Sequence, residues 1–220
     1  KGKIRRNLEI VKKQTVEEPA NPFARFNLGI EYMRLGDYET ALGEFQRAFR
    51  NLPGLNVQYA HWLILSIVNC LRRLRRFREA QAVIEDALEA YPDYTDLYFL
   101  RASIYLDTLA LDEAARGFIE CLEKGESKGL YFTHEGVGSY RAWTALGYVA
   151  ELKGKEEEAV ECYVQALKTR HNYLPAIQRL LVKLLAEERA EVSLGFVERL
   201  VDASNPEAVL LIGDIVTEHG

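Results

Sequence analysis

Apolar side chains recur along this chain at the three- and four-residue intervals of amphipathic helices. Ile4, Leu8 and Val11 form one such stripe, which predicts an N-terminal packing helix within residues 1–18. The richest apolar run, residues 62–68, is interrupted by Asn69. It is much shorter than the roughly 18 residues that a membrane span requires. The pattern therefore predicts a soluble helical protein without a membrane span.

One pattern of small, aromatic and alanine positions repeats along the chain. Its first copy, counted from Pro22, consists of Leu28, Gly29, Tyr32, Gly36, Tyr38, Ala41, Phe45, Ala48 and Pro53. Further copies begin at His61, Thr95 and Tyr140, and a degenerate copy begins near Leu174. The spacing is about 34 residues, except where an insertion lengthens it before Tyr140. Small residues let two helices approach closely, and aromatic residues fill the space between successive hairpins.

These residues match the motif of the tetratricopeptide repeat (TPR), and the chain resembles that family over most of its length. The resemblance implies an all-α fold, a right-handed superhelix (α-solenoid) of antiparallel helix-turn-helix TPR hairpins. The expected segments of one continuous solenoid domain are the packing helix 1–18, TPR 1 at 22–55, TPR 2 at 61–94, TPR 3 at 95–128, a Gly-rich insertion at 129–139, TPR 4 at 140–173, a degenerate TPR 5 at 174–205 and a C-terminal helix or cap at 206–220. Arg75 and Leu109 depart from the motif, because each stands where the turn usually has a small residue.

The family resemblance also indicates where a ligand would bind. Ligands of this family commonly lie in a concave groove lined by the first helix of each hairpin. The corresponding positions, with Asn27 beside them, form the predicted partner-binding groove: Phe23, Phe26, Asn27, Ile30, Met33, Trp62, Leu65, Asn69, Arg72, Arg73, Phe99, Arg141 and Tyr148.

The residue types at these positions narrow the kind of ligand. One TPR subgroup clamps a peptide's C-terminal carboxylate with Lys and Asn. That clamp is excluded, because Phe26 and Ile30 occupy two of its polar positions and only Asn69 fits. The remaining aromatic groove suits a protein or peptide partner. The alternative is that several of these side chains pack between repeats.

The charge of the chain excludes one class of partner. The formal net charge is −5 at pH 7, which argues against a general nucleic-acid binder. Residues 72–78, with five Arg, are a local exception. They predict either an oxyanion site or a solvated turn that pairs with acids such as Glu79 and Glu85.

The three cysteines stand singly, without metal-ligand or disulfide spacing, and are expected to be buried reduced thiols.

The insertion contains the few residues that suggest chemistry. Residues 136–139 precede a helix, where backbone amides could bind an anion, but the Lys and the strand of a phosphate-binding loop are missing. Ser139 is predicted to cap the helix instead. His134 and Glu135 could form an acid–base pair, yet the sequence places no nucleophile or second carboxylate beside them. We therefore expect no catalysis, no cofactor and no metal.

A second, narrower resemblance rests on residues 3–8, 21–23 and 136–142. These stretches look like the repeat tail that follows the catalytic domain of some bacterial family-two glycosyltransferases. The resemblance implies an accessory domain in a bacterial cytoplasm, which recruits an acceptor or mediates assembly. The missing initiator Met predicts a fragment or a processed form.

The expected function is a non-catalytic scaffold for a protein or peptide of unknown identity. The alternatives are the glycosyltransferase accessory domain and self-association as a homo-oligomer.

Overall fold

The computed structural model describes residues 2–127, 131–186 and 205–219, and every regular element in these ranges is an α-helix. These ranges contain eleven helices: α1 (Gly2–Glu17), α2 (Pro22–Leu35), α3 (Tyr38–Arg50), α4 (Ala60–Arg73), α5 (Phe77–Ala90), α6 (Thr95–Asp107), α7 (Leu111–Lys124), α8 (Tyr140–Leu152), α9 (Glu156–Thr169), α10 (Leu174–Ala186) and α11 (Pro206–His219). The predicted all-α class is confirmed. Within the described ranges, no helix has the length and apolar character to cross a membrane. Residues 187–204 of the predicted TPR 5 and residues 128–130 of the insertion region lie outside the described residues.

The chain forms two compact units. Unit 1 comprises Lys1–Ile104 with Ser127–Thr133, and unit 2 comprises Tyr105–Glu126 with His134–Gly220. In unit 1, the helices from α1 to α5 pack in chain order, each on the next. In unit 2, α7 packs on α8, and α8, α9, α10 and α11 follow in the same way. Packing between chain neighbours is what a repeat of helical hairpins requires.

The hairpin turns follow from local chemistry. The Asn21 side chain accepts hydrogen bonds from two backbone N–H groups in the first turn of α2, at 2.9 and 3.2 Å, and Pro22 is the first helical residue. The helix ends at Gly36, whose φ of 83° lies in the left-handed region that glycine tolerates. Arg75 and Leu109 adopt a φ of 59° in their turns. The turn therefore keeps its left-handed conformation where the small residue is missing.

The close approach of paired helices depends on glycine. A Cβ at Gly29 would overlap the fully buried ring of Phe45, and a Cβ at Gly147 would overlap the ring of Tyr163. Each pair joins the first helix of a hairpin to the second, so the small and aromatic positions of the motif meet in space. The cysteine side chains are buried in this packing: Cys70, Cys121 and Cys162.

Candidate functional site

Unit 1 has an open aromatic cavity of about 380 Å³ at the start of α2 and α4. We call it the aromatic site, and its lining consists of Phe23, Gln58, Tyr59, His61, Trp62, Tyr131 and Phe132. Two of these residues, Phe23 and Trp62, belong to the predicted groove. The last two come from the segment that precedes α8. The site therefore combines the first-helix face with residues from the insertion region.

Phe132 is held on the first-helix face through its ring and its main chain. The ring stacks on the indole of Trp62, with centroids 4.2 Å apart and planes 17° apart. The Phe132 N–H donates a hydrogen bond to Nε2 of His61 at 2.6 Å. The Tyr94 hydroxyl donates to the Phe132 carbonyl at 2.5 Å. Both polar main-chain groups of Phe132 therefore have side-chain hydrogen-bond partners.

Tyr131 packs into a neighbouring cluster of rings. It stacks on Tyr94 with centroids 4.9 Å apart. It also meets His61 edge to face at 5.4 Å and Tyr91 at 6.0 Å. Such edge and offset contacts are the favoured arrangements of aromatic pairs. Tyr131 and Phe132 thus contact neighbouring side chains of unit 1 at two adjacent positions.

The opposite wall of the aromatic site is only partly covered. Phe23 meets Tyr59 edge to face at 5.0 Å, yet 49% of its surface remains exposed. Beneath it, the fully buried Phe26 supports Tyr59 at 5.5 Å and Trp62 at 5.0 Å. An exposed phenylalanine beside an open cavity is a feature of partner-binding surfaces.

The electrostatic state of His61 matches its role as an acceptor. The ring is buried, and burial lowers its pKa, an effect that exceeds the opposite influence of the Asp96 carboxylate. His61 is therefore neutral at pH 7, and Nε2 can accept the Phe132 N–H. Burial likewise raises the pKa of Tyr94, so its hydroxyl keeps the proton that it donates to Phe132. These two side chains are chemically suited to bind a peptide group.

The predicted groove residues fall into three environments. Three are buried in the core of unit 1: Phe26, Ile30 and Leu65. Exposed or half-buried in unit 1 are Phe23, Asn27, Met33, Trp62, Asn69, Arg72, Arg73 and Phe99. Arg141 and Tyr148 lie in unit 2, where the Arg179 guanidinium lies 3.9 Å from the Tyr148 ring centroid. The structure brings Phe23, Phe26 and Trp62 together around the aromatic site.

The sequence did not predict several residues that line the aromatic site: Gln58, Tyr59, His61, Tyr131 and Phe132. The available signal was two adjacent aromatic residues inside a glycine-rich insertion, where polar residues are more usual. The motif itself could not indicate which helix these rings would contact.

The other chemical candidates are engaged in ion pairs or structural contacts. Arg76 binds Glu79 through two hydrogen bonds of 2.7 Å, as the solvated-turn alternative predicts, whereas Glu85 pairs with Arg101. Arg73 and Arg75 lie over the rings of neighbouring aromatic residues. Within the described residues, no group of three His, Cys, Asp or Glu side chains is placed to hold a metal ion.

The predicted roles of the insertion residues need correction. Ser139 occupies the N-cap position of α8, but its side chain makes no capping hydrogen bond. Its hydroxyl donates to the Glu126 carboxylate at 2.6 Å, and this bond directs the side chain to Glu126 rather than to the N–H groups of the first turn. Glu135 pairs with Arg170 at 2.6 Å. These contacts stabilise the approach to α8.

A second cavity of unit 1, of about 470 Å³, lies between α3 and α5 with α4 as its floor. Phe49, 42% exposed, lies on its wall, and Arg50 and Asp86 are among its charged lining residues. Since Phe49 is nearly as exposed as Phe23 and lines a different cavity, it provides a matched control for the aromatic site.

Comparisons with known proteins agree with this architecture. Residues 65–120 and residues 140–172 match two family models described as tetratricopeptide repeat. No curated protein matches the chain. These two stretches of the chain are therefore tetratricopeptide repeats. The predicted fold class, an α-solenoid of TPR hairpins, is confirmed, while the glycosyltransferase resemblance stays a prediction.

Solved structures share the fold at low sequence identity. MamA from Desulfovibrio magneticus RS-1 has a TM-score of 0.59 and 18% identity, over 76% of this chain and 85% of that chain. TTC0263, a thermophilic TPR protein of Thermus thermophilus, has a TM-score of 0.63 and 20% identity, over 84% and 92%. YrrB, described as a TPR protein with an unusual peptide-binding site, has a TM-score of 0.57 and 20% identity, over 81% and 84%.

Proposed function

We propose that this protein is a non-catalytic scaffold that binds a peptide segment of a partner protein at the aromatic site of unit 1. The observation that carries the proposal is the pairing of the exposed Phe23 with the half-buried Trp62 around an open cavity. Aromatic side chains bury a large area at a small cost in side-chain entropy, and they dominate the binding energy of many interfaces. The TPR family and the described peptide-binding site of YrrB support this class of function.

A library of random peptides selected against the full chain tests the proposal. We expect Phe23→Ala and Trp62→Ala each to weaken the selected peptides at least about tenfold, since central aromatic residues often contribute about 2 kcal/mol or more. Phe49→Ala should bind like the wild type. Phe26→Ala is a poor probe, because Phe26 is fully buried and its loss would destabilise the core. Unchanged binding by both site variants would show that the aromatic site is the wrong surface.

Two alternative functions stay predictions. An accessory domain of a glycosyltransferase requires a nucleotide-sugar-binding α/β domain in the same polypeptide, so the coding sequence upstream of Lys1 tests it. Self-association predicts a mass above one chain in light scattering at high concentration. A monomer throughout the concentration range would reject it.

A further inference from the structure

Part of the aromatic site is covered by a segment of the same chain. Residues 127–133 belong to unit 1, whereas the residues on both sides of them in the sequence belong to unit 2. Described residues 131–133 have no regular secondary structure, and they contact α4 and Tyr94, the residue before α6, through side chains and main chain. We propose that Tyr131 and Phe132 cover the His61 and Trp62 side of the aromatic site as an internal ligand, and that the external partner, which takes their place, is a non-helical segment with two adjacent aromatic residues and an apolar neighbour. The inference deepens the proposed function and rests on it.

The contacts of Phe132 are those of a bound peptide. His61 accepts a hydrogen bond from its N–H, and Tyr94 donates one to its carbonyl, so any residue except proline at this position can make the same two hydrogen bonds. The ring stack on Trp62 then selects an aromatic side chain. Recognition of the main chain by fixed polar groups, with a separate contact for the side chain, is how peptide-binding domains combine affinity and specificity.

The contacts of Tyr131 define the second position of the ligand. Its ring packs against Tyr94 and His61 and reaches Tyr91, so three rings contact it. A second aromatic residue fits this position better than an aliphatic one, since edge and stacked ring pairs add to area burial. The partner should therefore carry two aromatic residues in succession.

The internal ligand leaves part of the site unused. Phe132 retains 45% exposure, and Phe23 retains 49%. The cavity between them is open. A partner segment with a further apolar residue that reaches Phe23 would bury surface that is exposed in this structure, in addition to the contacts of its aromatic pair. The internal ligand competes at the millimolar effective concentration typical of a short tether. A partner at a lower concentration therefore displaces it only if the partner binds the site correspondingly more tightly.

A labelled synthetic peptide with the sequence of residues 126–134 tests the inference by fluorescence anisotropy on the full chain. We expect it to bind Tyr131→Ala/Phe132→Ala at least tenfold more tightly than the wild type. Adding Trp62→Ala to that variant should abolish the gain, and adding Phe49→Ala should not. Equal affinity for the wild type and the double variant, or binding to neither, would overturn the internal ligand.

Two further measurements keep the test decisive if the double variant folds poorly. Phe132→Ala alone is milder and should also bind the peptide more tightly than the wild type; an unchanged Kd would overturn the inference. In a Trp143→Phe background, Trp62 is the only tryptophan. Phe132→Ala should then increase acrylamide quenching, and the peptide should reverse the increase. If library peptides still depend on Phe23 while this peptide fails, the internal ligand is wrong and the proposed function stands.

Discussion

The same Gly→Ala substitution should have opposite effects at two helical positions of the first hairpin. Gly29 in α2 faces the ring of Phe45, and a Cβ there would overlap three ring atoms. Apart from its chain neighbours and the backbone of α3, Gly43 has no atom within 4 Å of the same ideal Cβ position. Both substitutions gain the same intrinsic helix propensity, so the difference between them isolates the tertiary contact.

The magnitudes follow from two competing terms. Alanine is favoured over glycine inside a helix by about 0.8–1.0 kcal/mol. Gly43→Ala should therefore raise the free energy of unfolding by about 1 kcal/mol. At Gly29 this gain is opposed by overpacking against a ring that is fully buried and has little room to move, which costs about 1–3 kcal/mol. The expected net change for Gly29→Ala is a loss of about 1 kcal/mol.

Urea denaturation followed by far-UV circular dichroism measures both changes. For a chain of this size, about 1 kcal/mol corresponds to a shift of about 2–4 °C in Tm, which thermal unfolding resolves. Phe45→Leu should relieve the overlap, so the double variant with Gly29→Ala should lose less than the sum of the two single losses. Equal stabilisation by Gly29→Ala and Gly43→Ala would refute the close packing of α2 on α3.

Three other predictions concern strain, pH and thiol reactivity. Leu109→Gly should raise the free energy of unfolding, measured in urea, by about 0.5–1 kcal/mol. The substitution removes the left-handed φ strain of about 1–2 kcal/mol that a residue with a side chain carries, but glycine offsets part of this stabilisation because it increases the entropy of the unfolded chain. A lower free energy of unfolding would refute the strain at Leu109. The pKa of His61 is lowered on folding, so the unfolded chain binds more protons, and stability should fall as pH drops through about 6.5 toward the folded pKa. His61→Gln should weaken that dependence, and an unchanged profile would assign it to other groups. Burial raises the pKa of Cys70 to about 12 and that of Cys162 to about 11, so a thiol reagent at about pH 8 should modify them far more slowly in the native protein than in urea; equal rates would contradict their burial.

The repeats could be predicted from the sequence because their determinants are local. Helix caps, turn positions and the apolar face of each helix depend on residues within a few positions of one another. Gly29 and Phe45 illustrate this, since both belong to one hairpin and their spacing is part of the repeat motif. Even Arg75 and Leu109, which lack the expected small side chain, adopt the turn conformation that the repeat requires.

The candidate site was predictable only in part. The first-helix positions correctly included Phe23 and Trp62 among the lining residues of the aromatic site. The same positions also included Phe26 and Leu65, which are buried in the core. The motif gives the face on which a residue lies, but exposure depends on how closely the next helix packs against that face.

The repeat pattern was enough to predict a chain of TPR hairpins with aromatic first-helix positions. The contact of Tyr131 and Phe132 with that face follows from the tertiary structure alone. The hydrogen bond between Phe132 and His61 joins residues 71 positions apart. Such a contact belongs to no repeat period, because it depends on the path of a single insertion rather than on a local pattern. Local periodicity therefore predicted the scaffold, and a long-range contact defined its site.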